Sequence, residues 1–362
     1  MTAPLRREAI IAQASALPHR IAIVTDAWTP QVNGVVRTLT TTVNELRARG
    51  HEVLVVAPDC FRSLPCPTYP EIRLALASRG RVAGLLAAFA PEAIHIATEG
   101  PLGLVARGLC MARGVPFTTA YHTQFPAYVA RRTGLPERLL WRYIRWFHLP
   151  AARIMVATPS IEGELAARGL VKAHRWSRGV DLAQFTPRAA PPPEFARLER
   201  PIQLYVGRVA VEKNIEAFLN ARRPGSKVVV GDGPALAALK ARFPGTLFLG
   251  RREGSALAGC YAGADVFVFP SRTDTFGLVI VEALACGTPV AAFPVAGPAD
   301  IVTEKSGALS EDLDRAIDAA LFCEPADCAA RGAEFGWAGA TDQFLAGLVD
   351  LPFETTGLRG LP

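Results

Sequence analysis

Short, nearly unbroken apolar runs alternate along this chain with longer segments whose apolar positions recur at helical spacing. Runs of the first kind read as strands buried on both faces, because a parallel sheet covered by helices has no solvated side. Arg20-Ile-Ala-Ile-Val-Thr-Asp26 predicts a first strand, residues 34–49 a helix ended by Gly50, and Glu52-Val-Leu-Val-Val-Ala57 a second strand. Further strands are predicted at 93–97, 116–121 and 153–158, with helices between them. Residues 186–201 break the texture: Pro187, Pro191, Pro192, Pro193 and Pro201 fall in a stretch without a repeating apolar face, which predicts a linker. A second series follows, with strands predicted at 202–207, 227–231, 246–249, 265–270 and 289–293. The last helical stretch, 341–351, has no strand after it. Alternation of this kind predicts an α/β protein with two doubly wound domains. Ligands would then lie at the carboxyl ends of both sheets, in the cleft between them.

Composition narrows the class. At 362 residues the chain is long enough for two domains, each with its own core. A mean hydropathy of +0.22 raises the question of a membrane span. No uncharged apolar run reaches the roughly 18–20 residues that a spanning helix needs. The longest candidate, 277–296, is interrupted by Glu282 and carries Pro289 and Pro294. The basic start of the chain has only a short, broken apolar stretch and does not read as a secretory signal. The seven cysteines are odd in number and form no C-x-x-C pair, which fits reduced thiols in the cytosol and disfavours zinc. Residues 1–187 hold 22 Lys and Arg against 12 acids, whereas residues 188–362 hold 17 against 21. A basic half joined to a mildly acidic one suggests that the first half meets something anionic.

Two segments of the second half carry the strongest chemistry. Val206-Gly-Arg-Val-Ala-Val-Glu-Lys-Asn214 follows a strand and opens a helix, which places Arg208 and Lys213 at the carboxyl edge of the sheet. Two cations beside a helix N-terminus would hold a diphosphate. Taken alone, they read rather as surface charges. In the segment from Phe269 to Pro289, a strand end and a polar turn precede a helix beginning near Gly277. The N–H groups at Gly277, Leu278 and Val279 would form a second anion cradle. Asp274 lies in the turn and Glu282 on an otherwise apolar helix face. A carboxylate there must be hydrogen-bonded, since burying it unpaired costs several kcal/mol. A ribose diol is a suitable partner; a capping network at the helix start is the plainer alternative.

With these residues in place, the chain resembles the retaining family-4 glycosyltransferases of the GT-B fold, and the motifs occur in order from Arg20 to Phe344. Asp274 and Glu282 stand at the spacing of that family's E-x7-E pair, with Asp in place of the first Glu and hence one methylene less reach. Gly207-Arg208 and Lys213 match its phosphate-binding positions, and Val230-Gly-Asp-Gly-Pro234, with Gly231 and Gly233, its glycine-rich turn. Pro30-Gln-Val-Asn-Gly-Val-Val-Arg37 resembles its N-terminal glycine loop, Ala120-Tyr-His-Thr-Gln-Phe-Pro126 its histidine segment, and Arg178-Gly-Val-Asp-Leu-Ala-Gln-Phe-Thr-Pro187 the end of its first domain.

The resemblance implies a GT-B arrangement of two Rossmann-like domains. Residues 1–187 would form the acceptor domain, completed by the C-terminal helix at 338–362, and 188–337 the nucleotide-sugar domain. It implies that Asn33 and Gly34 approach the diphosphate where a Cβ would intrude, and that His122 sits against the transferred sugar. Arg208 and Lys213 would neutralise the diphosphate, Asp274 would contact the sugar, and Phe276, Gly277, Leu278, Val279 and Glu282 would hold the nucleotide. The base would meet the loop containing Arg251. The donor would be a UDP-sugar or GDP-mannose. The chemistry would be front-face transfer with retention, resting on electrostatic preorganisation without a cofactor or metal. Asp312-Leu-Asp314 has the letters of a metal-binding D-x-D, but it falls in a charged helix away from any strand end and reads as solvated surface.

The acceptor is suggested by residues 131–153, which carry Arg131, Arg132, Arg138, Arg142, Arg145 and Arg153 against one acid, Glu137. In a helix opened by Pro136, Arg138, Trp141, Arg142 and Arg145 share one face and Leu140, Ile144 and Phe147 another. Arginine with tryptophan on an exposed face suits an anionic membrane surface; an ordinary domain helix is the alternative. The chain looks most like members that glycosylate lipids, such as phosphatidylinositol mannosyltransferases and diacylglycerol glycosyl- or glucuronosyltransferases. That implies a lipid acceptor and a place on the inner face of the membrane. A soluble or polysaccharide acceptor is the alternative. A GT-B epimerase would place other carboxylates in the cleft. A nucleic-acid-binding protein, suggested by the pI of 9.1, leaves Arg208, Lys213, Asp274 and Glu282 unexplained. No GxGxxG follows the first strand, so a nicotinamide-dependent dehydrogenase does not fit.

Overall fold

The computed structural model of the chain describes residues 17–31, 33–66, 69–122, 126, 134, 136–274 and 276–351. The first half runs β1 (Arg20–Val24), α1 (Gly34–Ala48), β2 (Glu52–Val56), β3 (Ser63–Cys66), β4 (Tyr69–Ala75), α2 (Arg79–Phe89), β5 (Ala93–Ile96) and α3 (Pro101–Ala112). It continues with β6 (Thr118–Tyr121), α4 (Glu137–His148), β7 (Arg153–Val156), α5 (Pro159–Ala166) and β8 (Ala173–Arg175). Six of these strands form a sheet in the order β2-β1-β5-β6-β7-β8, every neighbouring pair parallel, while β3 and β4 make a separate antiparallel hairpin.

The second half repeats the plan. It runs β9 (Ile202–Val206), α6 (Ile215–Leu219), β10 (Ser226–Val230), α7 (Leu236–Arg242), β11 (Leu247–Gly250), α8 (Gly254–Gly263) and β12 (Val266–Phe269). After these come α9 (Leu278–Ala285), β13 (Val290–Ala292), α10 (Pro298–Ile301), β14 (Gly307–Leu309), α11 (Leu313–Ala320), α12 (Pro325–Ala333) and α13 (Trp337–Gly347). Its sheet is parallel in the order β11-β10-β9-β12-β13-β14. The all-apolar strands explain the architecture. All four residues of β12, Val-Phe-Val-Phe, are buried, with Phe267 and Phe269 in one core and Val266 and Val268 in the other. Alternate side chains thus feed two helical layers, which only a sheet covered on both faces can satisfy.

Strand order reverses between β1 and β5 in the first sheet and between β9 and β12 in the second. The carboxyl ends at such a switch point splay apart and leave a crevice. After the second sheet the chain returns to the first: α13 lays Phe344 against His95 and Trp176, and Asp342 pairs with Arg49, just past α1. The predicted linker is less loose than its prolines suggest. Phe195 is buried, and the segment lies so close on α8 that a Cβ at Gly259 would stand 2.0 Å from the Ala190 carbonyl oxygen. Among the described residues no helix is long and apolar enough to cross a membrane.

Candidate active site

The loops that leave β9 and β12 flank the second switch point. Gly207 ends β9 and donates its N–H to the Val230 carbonyl at 3.0 Å. Arg208 follows, exposed, and Lys213 closes a single 3-10 turn. Asn214, with φ at +54°, donates from Nδ2 to the Pro270 carbonyl at 3.1 Å and ties the first loop to the second. Beside that tie, Lys213 Nζ lies 2.6 Å from Asp274 Oδ1. Asp274 Oδ2 is buried and accepts no hydrogen bond among the described residues. The pair is poised for exchange: a phosphate can take the ammonium and a hydroxyl can donate to the carboxylate.

The neighbouring glycines divide into kinds. A Cβ at Gly231 would lie 1.9 Å from the Gly207 carbonyl oxygen, and one at Gly233 would lie 2.4 Å from that of Val209. Both are demanded by backbones crossing at the ends of β9 and β10, whatever a ligand does there. Gly277 precedes α9 at φ +89°, a conformation that a side chain strains. No side chain caps α9, and the N–H groups of Leu278 and Val279 meet no backbone acceptor among the described residues. This end of the helix therefore presents donors and a partial positive charge. Phe276 is buried edge-to-face against Phe335 at 5.9 Å, so it fixes the turn with its ring and offers a ligand only backbone.

Glu282 lies on the second turn of α9 with 1% of its side chain exposed. Its Oε2 accepts from the Tyr261 hydroxyl of α8 at 2.9 Å, and its Oε1 is paired with Arg37, which reaches over from α1 in the other half. Burial pushes the Glu282 carboxyl above the usual carboxylate range, while Arg37 and Tyr261 draw it partly back. Burial and the adjacent Glu282 push the Tyr261 phenol upward. Arg37 and Tyr261 were not among the residues singled out from sequence. For Arg37 a signal existed: it stands three residues after Gly34, on the first turn of a helix that begins at the glycine loop.

The glycine loop itself is uncrowded by the protein around Gly34. A Cβ at Gly34 would meet only Leu278 Cδ1, at an ordinary 3.8 Å, so the protein itself leaves room there. The contact does show that the loop faces the start of α9. Asn33 caps α1, its Oδ1 accepting from the N–H groups of Val35 and Val36 at 3.0 Å each.

His122 follows β6 and is buried against Trp176, ring centroids 5.5 Å apart. Its Nδ1 lies 3.0 Å from Nη2 of Arg178, itself buried. Burial, then Arg178, His95 and His148, hold the His122 imidazole well below the ordinary histidine range. Arg251, at the end of β11, pairs with Glu253 on the surface. Asp312 caps α11, and Asp314 accepts from the N–H groups of Arg222 and Arg223 across the fold, so both carboxylates of the D-x-D bond to backbone.

On α4, Trp141 keeps the helical spacing of the arginines but is half-buried, where an exposed side chain was expected. It stacks on Tyr121 at 5.9 Å, lies under Arg168 at 3.9 Å, and donates to Glu137 at 3.0 Å. The exposed apolar residues are Leu139, Trp146 and Leu149, each 50% accessible, beside exposed Arg138, Arg142 and Arg145. Arg131 and Arg132, and residues 123–125 of the histidine segment, lie outside the described residues.

Two doubly wound parallel sheets meeting at their switch points form the GT-B architecture of glycosyltransferases. Sucrose-phosphate synthase from Thermosynechococcus elongatus has this fold, with a TM-score of 0.72 and 22% identity, over 90% of this chain and 97% of that one. Residues 32–184 match the glycosyltransferase family 4 model and residues 200–323 that of group 1 glycosyl transferases. The chain is 36% identical over 322 residues to a GDP-mannose-dependent alpha-mannosyltransferase of Mycolicibacterium smegmatis, covering 82% of this chain and 85% of the relative. It is 28% identical to the alpha-monoglucosyldiacylglycerol synthase of Streptococcus pneumoniae, covering 84% of this chain and 79% of the relative. The chain belongs to glycosyltransferase family 4, and it is a glycosyltransferase.

Proposed function

We propose that the chain transfers a hexose or hexuronic acid, with retention and without a metal, from a nucleotide diphosphate sugar to a hydroxyl of a membrane lipid of the diacylglycerol or phosphoinositide type. GDP-mannose is the first donor to try, because the relative with 36% identity is named for it; a UDP-sugar is the second. The relative named for diacylglycerol supports the acceptor, as do the exposed Leu139, Trp146 and Leu149 among the arginines of α4, a composition suited to the anionic inner face of a membrane. In this reading the first half takes the acceptor and the second the nucleotide.

The observation that carries the proposal is the Lys213–Asp274 pair at the switch point, beside the open start of α9. The donor's diphosphate would draw Lys213 off Asp274 and lie between Arg208, Lys213 and the Leu278 and Val279 amides. Asp274 would then accept from a sugar hydroxyl. The acceptor oxygen forms its bond to C1 while the bond from C1 to the phosphate oxygen breaks. The leaving oxygen keeps the electron pair and takes the acceptor's proton on the same face. The charge that grows on that oxygen is met by cations and amides already in place.

The test offers GDP-mannose and UDP-sugars to the purified chain with anionic vesicles containing diacylglycerol or phosphatidylinositol, in EDTA. The expected result is a glycolipid whose anomeric proton shows the configuration of the donor. A product formed only with a soluble saccharide would move the acceptor to that class. An inverted product, or activity that returns only with a divalent cation, would overturn the mechanism.

A further inference from the structure

Arg178 has no role in the scheme above, yet its surroundings are unusual. It follows β8 and is 4% exposed, and among the described residues no carboxylate pairs with it. A buried guanidinium must be satisfied in other ways. Nη1 donates to the carbonyls of Trp176 at 2.6 Å and Ser177 at 3.2 Å, and the guanidinium carbon stands 4.5 Å over the Trp176 ring. Nη2 is 3.0 Å from Nδ1 of His122. A guanidinium has donors only, so Nδ1 must accept and the imidazole proton must sit on Nε2. Protonating Nδ1 as well would set two cations against each other.

The groups around His122 agree in sign. Arg178, His95 and His148 all disfavour a charge on it, and Trp176 covers it with an apolar ring. His95, buried with Nδ1 2.9 Å from the Thr118 hydroxyl, is itself held down to about 3 by burial and then by Arg178. One buried cation is therefore in place, and His122 and His95 are both held towards their neutral forms.

We infer that Arg178 is a positioning residue that fixes His122 as its neutral Nε2–H tautomer, so that the histidine meets the transferred sugar as a hydrogen-bond donor and not as a base. The inference rests on the reading that His122 faces the sugar. The same nitrogen arithmetic recurs wherever a partner on one ring nitrogen fixes the proton on the other; at metal-bound histidines, removing such a partner typically costs about 10–100-fold in affinity or activity.

The experiment labels the six histidines with 15N and records long-range proton–nitrogen correlations on the wild-type protein from pH 8 to pH 5. His122→Ala identifies the signal. The expected pattern is a protonated Nε2 and a bare Nδ1 that persist across the range. In Arg178→Met the pattern gives way to mixed tautomers, and kcat falls about 10–100-fold with nucleotide affinity unchanged. The acid limb of the kcat profile also moves to higher pH, because a depressing charge is gone. Arg178→Lys, which keeps the cation but not the fork, serves if the methionine variant does not fold. A proton on Nδ1 in the wild type, or an unchanged kcat in a folded Arg178 variant, overturns the inference. Full activity in His122→Ala, with the Nε2–H pattern present in the wild type, overturns the role in transfer alone, which separates a failure of the site reading from a failure of the tautomer lock.

Discussion

Glu282 is a carboxylate where burial disfavours charge, held by one phenol and one guanidinium. With its folded-state affinity for a proton raised above that of the unfolded chain, the folded protein binds this proton more tightly. Ionising it therefore costs stability as the pH rises through and past the unfolded value. Glu282→Gln keeps the shape and a carbonyl for Tyr261 but does not titrate. We expect the stability difference between variant and wild type, measured by urea unfolding, to shift towards the variant as the pH rises above about 4. Leaving Arg37 without its partner adds a similar offset throughout, so the slope is the test. A difference that stays flat would mean that the folded site ionises this carboxyl as readily as water does. Nucleotide binding should weaken about tenfold or more in the same variant, since a hydrogen bond to a charged group contributes about 1.5–3 kcal/mol.

At the scale of elements, the segment after Pro187 shows how composition can mislead. Prolines without an apolar period predict a free linker, but Gly259 and Gly263 leave α8 flat enough for the chain to lie directly on it. Gly259→Ala places a methyl group within 2.0 Å of a backbone oxygen. It should cost about 1–3 kcal/mol, seen as a lower urea midpoint at unchanged slope. An unchanged midpoint would show that the segment gives way and packs weakly. Strands such as β5, β9 and β12 were legible because both of their faces are buried, so hydrophobicity alone marks them. β8 and β14 were not: at three residues each they are too short to register, and His174 and Arg175 make the first polar as well. The β3–β4 hairpin carries Pro65 and Pro70 and pairs outside the main sheets, so no periodicity announces it. In the site, Lys213 and Asp274 could be placed because each follows a strand. The contacts of Arg37 with Glu282 and of Arg178 with His122 join positions far apart in sequence, and spacing holds no trace of them.

Across the whole molecule, the two halves are joined by polar contacts as well as by the chain. Arg37 pairs with Glu282, and Ser160 donates to Asp300 from its hydroxyl at 2.9 Å and its amide at 3.2 Å. The chain passes between the halves twice, side by side, where Val180 donates to the Phe335 carbonyl at 2.7 Å and pairs with Gly336. Two parallel crossings permit rotation more easily than separation. A nucleoside that is to use Glu282 cannot reach a carboxylate that is 1% exposed until Arg37 leaves it. Binding is then a competition, and the apparent affinity falls by the fraction of molecules in which the pair is open. If the pair is closed in about 90% of molecules, removing it strengthens binding about tenfold. Arg37→Ala should therefore bind its nucleotide several-fold more tightly by calorimetry, and its affinity should depend less on whether the halves are held together. Weaker binding in this variant would reverse the assignment: Arg37 would then belong to the donor, and the pair with Glu282 would be where the arginine waits for it.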